Sequence, residues 1–147
     1  MLHEPIVVER TYNAPIQQVW NALTQAAALR QWFFDVPAFE PRVGFAFEFT
    51  GKGKEGEPYL HHCVVTEADA PHKLAYSWRY EGAEGISLVT YELKAEGNRT
   101  HIRLIHTGTE TFPAGKAFAR ENFVEGWTAL IGTQLKTYAE TGVENKA

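Results

Sequence analysis

GKAFARENFVEGWTALIGTQLKTYAET, Gly115 to Thr141, is the longest helical pattern in the chain. Phe123, Trp127, Leu130, Ile131, Gln134, Leu135 and Tyr138 recur at three- and four-residue steps, so a helix here carries one apolar, aromatic-rich face. Lys116, Arg120, Glu125, Lys136 and Glu140 fall mostly elsewhere. An apolar face at the end of a chain needs a surface already built to lie against. The preceding residues supply one, because they read as a run of strands. A helix laid across a curved sheet leaves room for a cavity between the two layers.

Working back toward the amino terminus, Ile6–Tyr12 is rich in β-branched residues and reads as a strand. Asn13-Ala14-Pro15 stops it and opens a helix over Ile16–Thr24, with Asn13 as the expected cap and Pro15 in the first turn. A second short helix is expected over Ala26–Trp32, then a loop to Pro41. Five strands in meander follow. Phe45–Thr50 alternates, with its three Phe inward. Tyr59–Ala68 is next. Lys73–Arg79 turns Leu74, Tyr76 and Trp78 inward, Ser87–Lys94 turns Val89, Tyr91 and Leu93, and Arg99–Thr107 turns Ile102, Leu104 and His106. Gly97-Asn98 is a two-residue hairpin signal. The expected architecture is α+β: a curved antiparallel sheet of about six strands around a long C-terminal helix, with two short helices between the first and second strands.

The chain has 147 residues, 44% hydrophobic and 22% charged, which fits one globular domain over residues 1–147. Its formal charge of −4 and the lack of a Lys/Arg cluster argue against nucleic acid as a partner. No apolar run approaches a membrane span, so no membrane insertion is expected. Met1-Leu2-His3-Glu4-Pro5 does not read as a signal peptide, and a cytoplasmic location is the expectation. The single Cys63 excludes an internal disulfide.

Four groups of residues carry a family likeness. Ala14-Pro15 with Val19-Trp20, Ala22-Leu23-Thr24, Leu29 and Trp32 resembles the opening of the START-like (SRPBCC, helix-grip) superfamily. Val43-Gly44-Phe45 with Phe47 resembles a second-strand motif of its bacterial single-domain members named after the activator of the ninety-kilodalton heat-shock protein's ATPase. Val65, Glu67, Asp69, Pro71, Leu74, Tyr76 and Trp78 resemble their central motif, and Gly126-Trp127 with Ile131 and Leu135 their last helix. The likeness spans about residues 6 to 140 and implies the helix-grip fold. The superfamily hosts lipid carriers, hormone sensors, cyclases and co-chaperone domains, so the likeness does not name a ligand. Cys63, where many relatives have Gly, and the His61-His62 pair depart from the pattern.

Gly51–Gly56 matches a dinucleotide fingerprint by letter, but Pro58 and a strand follow instead of a helix, so it reads as a hairpin loop. Asn98-Arg99-Thr100 reads as a turn. His61-His62-Cys63 suggests zinc, yet on a strand only His61 and Cys63 share a face, and His106 lies three strands away, roughly 14 Å. No metal and no cofactor are expected. No nucleophile elbow or other catalytic set is visible.

Strand parity and helical spacing nominate a ligand-binding set. Phe47, Tyr76, Trp78, Tyr91 and His106 come from the sheet and Phe123, Trp127 and Leu130 from the helix, with Trp32 and Phe39 near the entrance. Tyr76, Tyr91 and His106 are the polar groups that would orient a ligand in an otherwise apolar cavity. The expected partner is a small hydrophobic or aromatic molecule. Two alternatives stay open: a cyclase- or hydrolase-like enzyme using His106 and the tyrosines, and a co-chaperone-like or stress-related interaction module. A homodimer is also left open.

Overall fold

The computed structural model describes residues 4–53 and 55–142. Its elements follow the expected order. Strand β1 (Ile6–Tyr12) leads into helices α1 (Ile16–Thr24) and α2 (Ala26–Trp32). Strands β2 (Ala46–Lys52), β3 (Pro58–Asp69), β4 (Lys73–Tyr80), β5 (Ser87–Glu96) and β6 (Arg99–Thr107) follow. All neighbours pair antiparallel in one six-stranded sheet of order β1-β6-β5-β4-β3-β2. Gly97 takes φ +65° in the two-residue turn joining β5 to β6, a conformation that favours glycine. The register of β3 against β4 shifts between Val65 and Glu67. Such a bulge bends its strand and increases the local twist of the sheet.

The last helix differs from the sequence expectation in two ways. It begins at Arg120 rather than Gly115, because Lys116–Phe118 forms a separate 3-10 turn. It is also interrupted: α3 (Arg120–Ala129) and α4 (Leu135–Thr141) are joined by a π-helical turn over Leu130–Gln134. A π turn shifts the apolar stripe around the axis and frees carbonyls from the regular ladder. Here the Tyr12 hydroxyl donates to the Ile131 carbonyl. Gly132 lies against the Arg10 guanidinium, where a Cβ would stand 3.1 Å from Nη2. Side-chain amides anchor two neighbouring elements: Gln134 Nε2 donates to the Trp32 carbonyl at 2.8 Å, and Gln18 Nε2 to that of Ala139.

The opening of α1 also corrects the expectation. Pro15 occupies the capping position and no side chain caps the helix. The Asn13 backbone N–H instead donates to Glu140 Oε2 at 2.7 Å, tying the chain entry to α4. That bond and the Lys136 ammonium hold the Glu140 carboxyl below its usual pKa.

The core lies between the helix and the inner sheet face. Leu74, Val89, Ile102 and Leu104 from the strands and Ile131 and Leu135 from the helix are fully buried. The strand alternation expected from sequence therefore holds, with Phe47 and Phe49 buried and Phe45 only partly so. Among the described residues, no helix is long and apolar enough to cross a membrane.

Candidate functional site

A cavity of about 870 Å³ opens between α3, the 3-10 turn before it, and the β2–β3–β4 end of the sheet. The helix packs against β1 at the far side of the molecule, so the gap widens toward β2 and β3. One wall carries Lys116, Phe118, Asn122, Phe123, Gly126, Trp127 and Leu130. The other carries Gly51, Glu57, Tyr59, His61, Trp78 and Tyr80, and Phe34 reaches in from the loop after α2. Charge is mixed, with Lys52 and Lys116 beside Glu55, Glu57 and Glu125.

Of the ten residues nominated from sequence, Trp78, Phe123, Trp127 and Leu130 line this cavity. The other six lie behind it. Trp32 is fully buried and donates its indole N–H to the Ala22 carbonyl at 2.8 Å, so it packs within the helical layer rather than at an entrance. Phe39 meets Phe45 and Phe47, and Phe47 meets Tyr76 edge-on. The Tyr76 and Tyr91 hydroxyls bond each other at 2.6 Å, and burial raises both phenols' pKa values. These rings close the centre of the sheet instead of opening it.

His106 is equally committed. Trp127 Nε1–H donates to His106 Nδ1 at 2.9 Å. The imidazole proton therefore sits on Nε2, which donates to Ser87 Oγ at 2.7 Å. The Ser87 hydroxyl donates in turn to the Trp78 carbonyl at 3.0 Å. Both ring nitrogens are used inside the protein, and burial pushes the His106 pKa down to about 3. This chain of bonds fixes the helix to the sheet beneath the cavity. Phe33 packs into the core beside these rings, within 6.5 Å of those of Phe49, Trp78 and Trp127.

The cavity residues outside the nominated set sit at the other end of the sheet, among them His61, which the sequence reading weighs only as a metal ligand. Tyr59, His61 and Cys63 share one face of β3, and Tyr80 continues the inward series of Leu74, Tyr76 and Trp78. Parity would have found His61 and Tyr80. Nothing in composition signals that Phe34 turns toward the sheet. His61 stacks on Phe49 with centroids 4.4 Å apart and meets Trp78 at 4.9 Å and Tyr80 at 4.6 Å. Burial lowers its pKa to about 4, against the Tyr59 and Phe49 carbonyls, which favour its charged form. His62 points to the outer face between Glu48 and Glu81, at 3.1 and 2.6 Å. Among the described residues, no three of His, Cys, Asp and Glu converge on a metal-sized site.

The match with known proteins now has a geometry to attach to. The family described as "Activator of Hsp90 ATPase homolog 1-like protein" matches residues 13–140. The chain belongs to that family. Among solved structures, protein CV1439 from Chromobacterium violaceum aligns with a TM-score of 0.79 at 22% identity, covering 92% of this chain and 96% of that one. DynU16, from the dynemicin biosynthetic locus, aligns with a TM-score of 0.78 at 20% identity over 97% of this chain, which spans only 49% of DynU16. CalU16 from Micromonospora echinospora aligns with a TM-score of 0.66 at 24% identity, covering 87% of this chain and 71% of that one. At such identities the likeness is one of fold, the helix-grip arrangement of the START-like superfamily. A search of curated proteins finds no match.

Proposed function

We propose that this member of the family is a binding protein for a small hydrophobic or aromatic molecule, held in the cavity between α3 and the β2–β3–β4 end of the sheet. One observation carries the reading: a space of about 870 Å³ walled by aromatic rings from both layers. Binding cavities for small molecules commonly fall in the range of about 300–1,000 Å³ and combine apolar walls with a few polar groups. The polar groups offered here include His61, Tyr80 and Asn122, with the charged Lys52, Glu55, Glu57, Lys116 and Glu125 also in the lining, in place of the Tyr76, Tyr91 and His106 set expected from sequence. Burying about 150 Å² of apolar ligand is worth roughly 4 kcal/mol at ~25 cal/mol per Å², before the cost of association. Micromolar to millimolar binding is expected.

The test is a fluorescence titration with a neutral, environment-sensitive naphthalene dye. Wild-type protein should enhance and blue-shift the dye in a saturable manner. Leu130→Trp, which adds bulk at a lining position, should abolish the response while the far-ultraviolet circular dichroism stays unchanged. A dye response that survives Leu130→Trp would place the binding elsewhere.

A further inference from the structure

His61 and Tyr80 together specify more than an apolar ligand. His61 Nδ1 lies 2.9 Å from the Tyr59 carbonyl. A carbonyl only accepts, so the proton of the neutral ring is on Nδ1 and Nε2 is left with a lone pair. The Phe49 carbonyl, across the strand pair from His61, also lies near the ring, and no hydrogen bond to Nε2 is seen among the described residues. No side-chain nitrogen or oxygen among those residues is sealed from solvent without a partner, so Nε2 reaches the open space that His61 lines. Beside it, the Tyr80 hydroxyl oxygen receives the Trp78 indole N–H at 3.0 Å. Its own hydrogen has no acceptor among the described residues. The wall of the cavity therefore presents an acceptor and a donor on two neighbouring rings. A hydroxyl group on a ligand satisfies both, because it donates once and accepts as well.

The charged residues of the lining, Lys52, Glu55, Glu57, Lys116 and Glu125, are exposed or half-buried, whereas the buried pair of His61 and Tyr80 offers no charge to an ionic ligand. His61 is neutral because burial lowers its pKa to about 4, and burial raises that of Tyr80 to about 12. A charge brought between them would lose hydration without a partner. The surrounding rings of Phe34, Tyr59, Trp78 and Phe118 offer flat faces and edges suited to another flat ring. We infer that the cavity takes a flat, uncharged aromatic molecule bearing a hydroxyl group, which donates to His61 Nε2 and accepts from the Tyr80 hydroxyl. The inference rests on the binding-protein reading above.

Equilibrium dialysis with naphthol and its methyl ether tests it. The two probes share the ring and the ether oxygen position, but only naphthol can donate. Wild-type protein should bind naphthol about three- to tenfold more tightly, the range of one net hydrogen bond. In His61→Phe, which keeps a ring stacked on Phe49, the two should bind equally. Gly51→Ala is a second variant: its Cβ would stand 3.0 Å from His61 Cε1, displacing the ring and reducing the preference. Equal binding of both probes by the wild type would refute the hydroxyl inference and leave the cavity reading standing. A preference that persists in His61→Phe would refute the role of His61. If neither probe binds, both readings fall together.

Discussion

Trp127→Phe isolates the bond that ties the last helix to the sheet. Trp127 is buried to 2% exposure, with its ring 5.5 Å from that of Trp78 and 6.2 Å from that of Tyr91. Phenylalanine keeps most of that contact and removes the N–H that His106 Nδ1 accepts at 2.9 Å. Burial leaves His106 no water to replace it. An orphaned buried acceptor costs about 1–3 kcal/mol, and the lost ring atoms add about 1 kcal/mol. The total expected from urea denaturation is therefore about 2–4 kcal/mol, or roughly 4–16 °C in Tm for a domain of this size. Trp127→Ala should cost about 3–5 kcal/mol. The double variant Trp127→Phe/His106→Leu removes both partners and should be less destabilised than the two single changes summed, by at least about 0.5 kcal/mol. Strictly additive losses, or a Trp127→Phe midpoint within error of wild type, would show that the relay contributes nothing.

Three other outcomes follow from the same geometry. His61 and His106 are neutral when folded and have ordinary pKa values of 6.5 when unfolded, so the stability they contribute is complete above pH 6.5 and is lost as pH falls toward 4 and 3 respectively. Each should remove about 2 kcal/mol between pH 7 and pH 5, measurable by urea titration and absent for its own site in His61→Phe or His106→Leu. Gly126 lies within α3 and an added Cβ there meets nothing within 4 Å, so Gly126→Ala should raise stability by about 0.5–1 kcal/mol in thermal denaturation. Tyr76→Phe should cost about 1–3 kcal/mol by orphaning the Tyr91 hydroxyl, and adding Tyr91→Phe should recover part of that loss.

The fold was legible because its signals are periodic. Tyr76, Trp78, Val89, Tyr91, Leu104 and His106 all announce their inward face by alternation, and the helix announces its stripe by spacing. The cavity was legible only in part, for a reason those residues make plain. Parity tells which face a side chain takes but not whether the space above it is filled. Tyr76, Tyr91 and His106 share the inner face with Trp78, yet their hydroxyls and ring nitrogens find partners within the core. The opening moves to His61 and Tyr80, where the helix stands away from the sheet. The packing of the Phe33 ring among Phe49, Trp78 and Trp127 and the π turn at Leu130–Gln134 have no compositional signature, because both depend on what packs against them.

The chain has four tryptophans, and their indole N–H signals provide the most direct test of a ligand-binding cavity. Trp78 and Trp127 line it, whereas Trp32 is sealed against the Ala22 carbonyl and Trp20 is buried on α1. A nuclear magnetic resonance titration with naphthol should shift the indole signals of Trp78 and Trp127 saturably and leave those of Trp20 and Trp32 in place. Shifts confined to Trp20 or Trp32, or no shift at any of the four up to millimolar probe, would contradict the account.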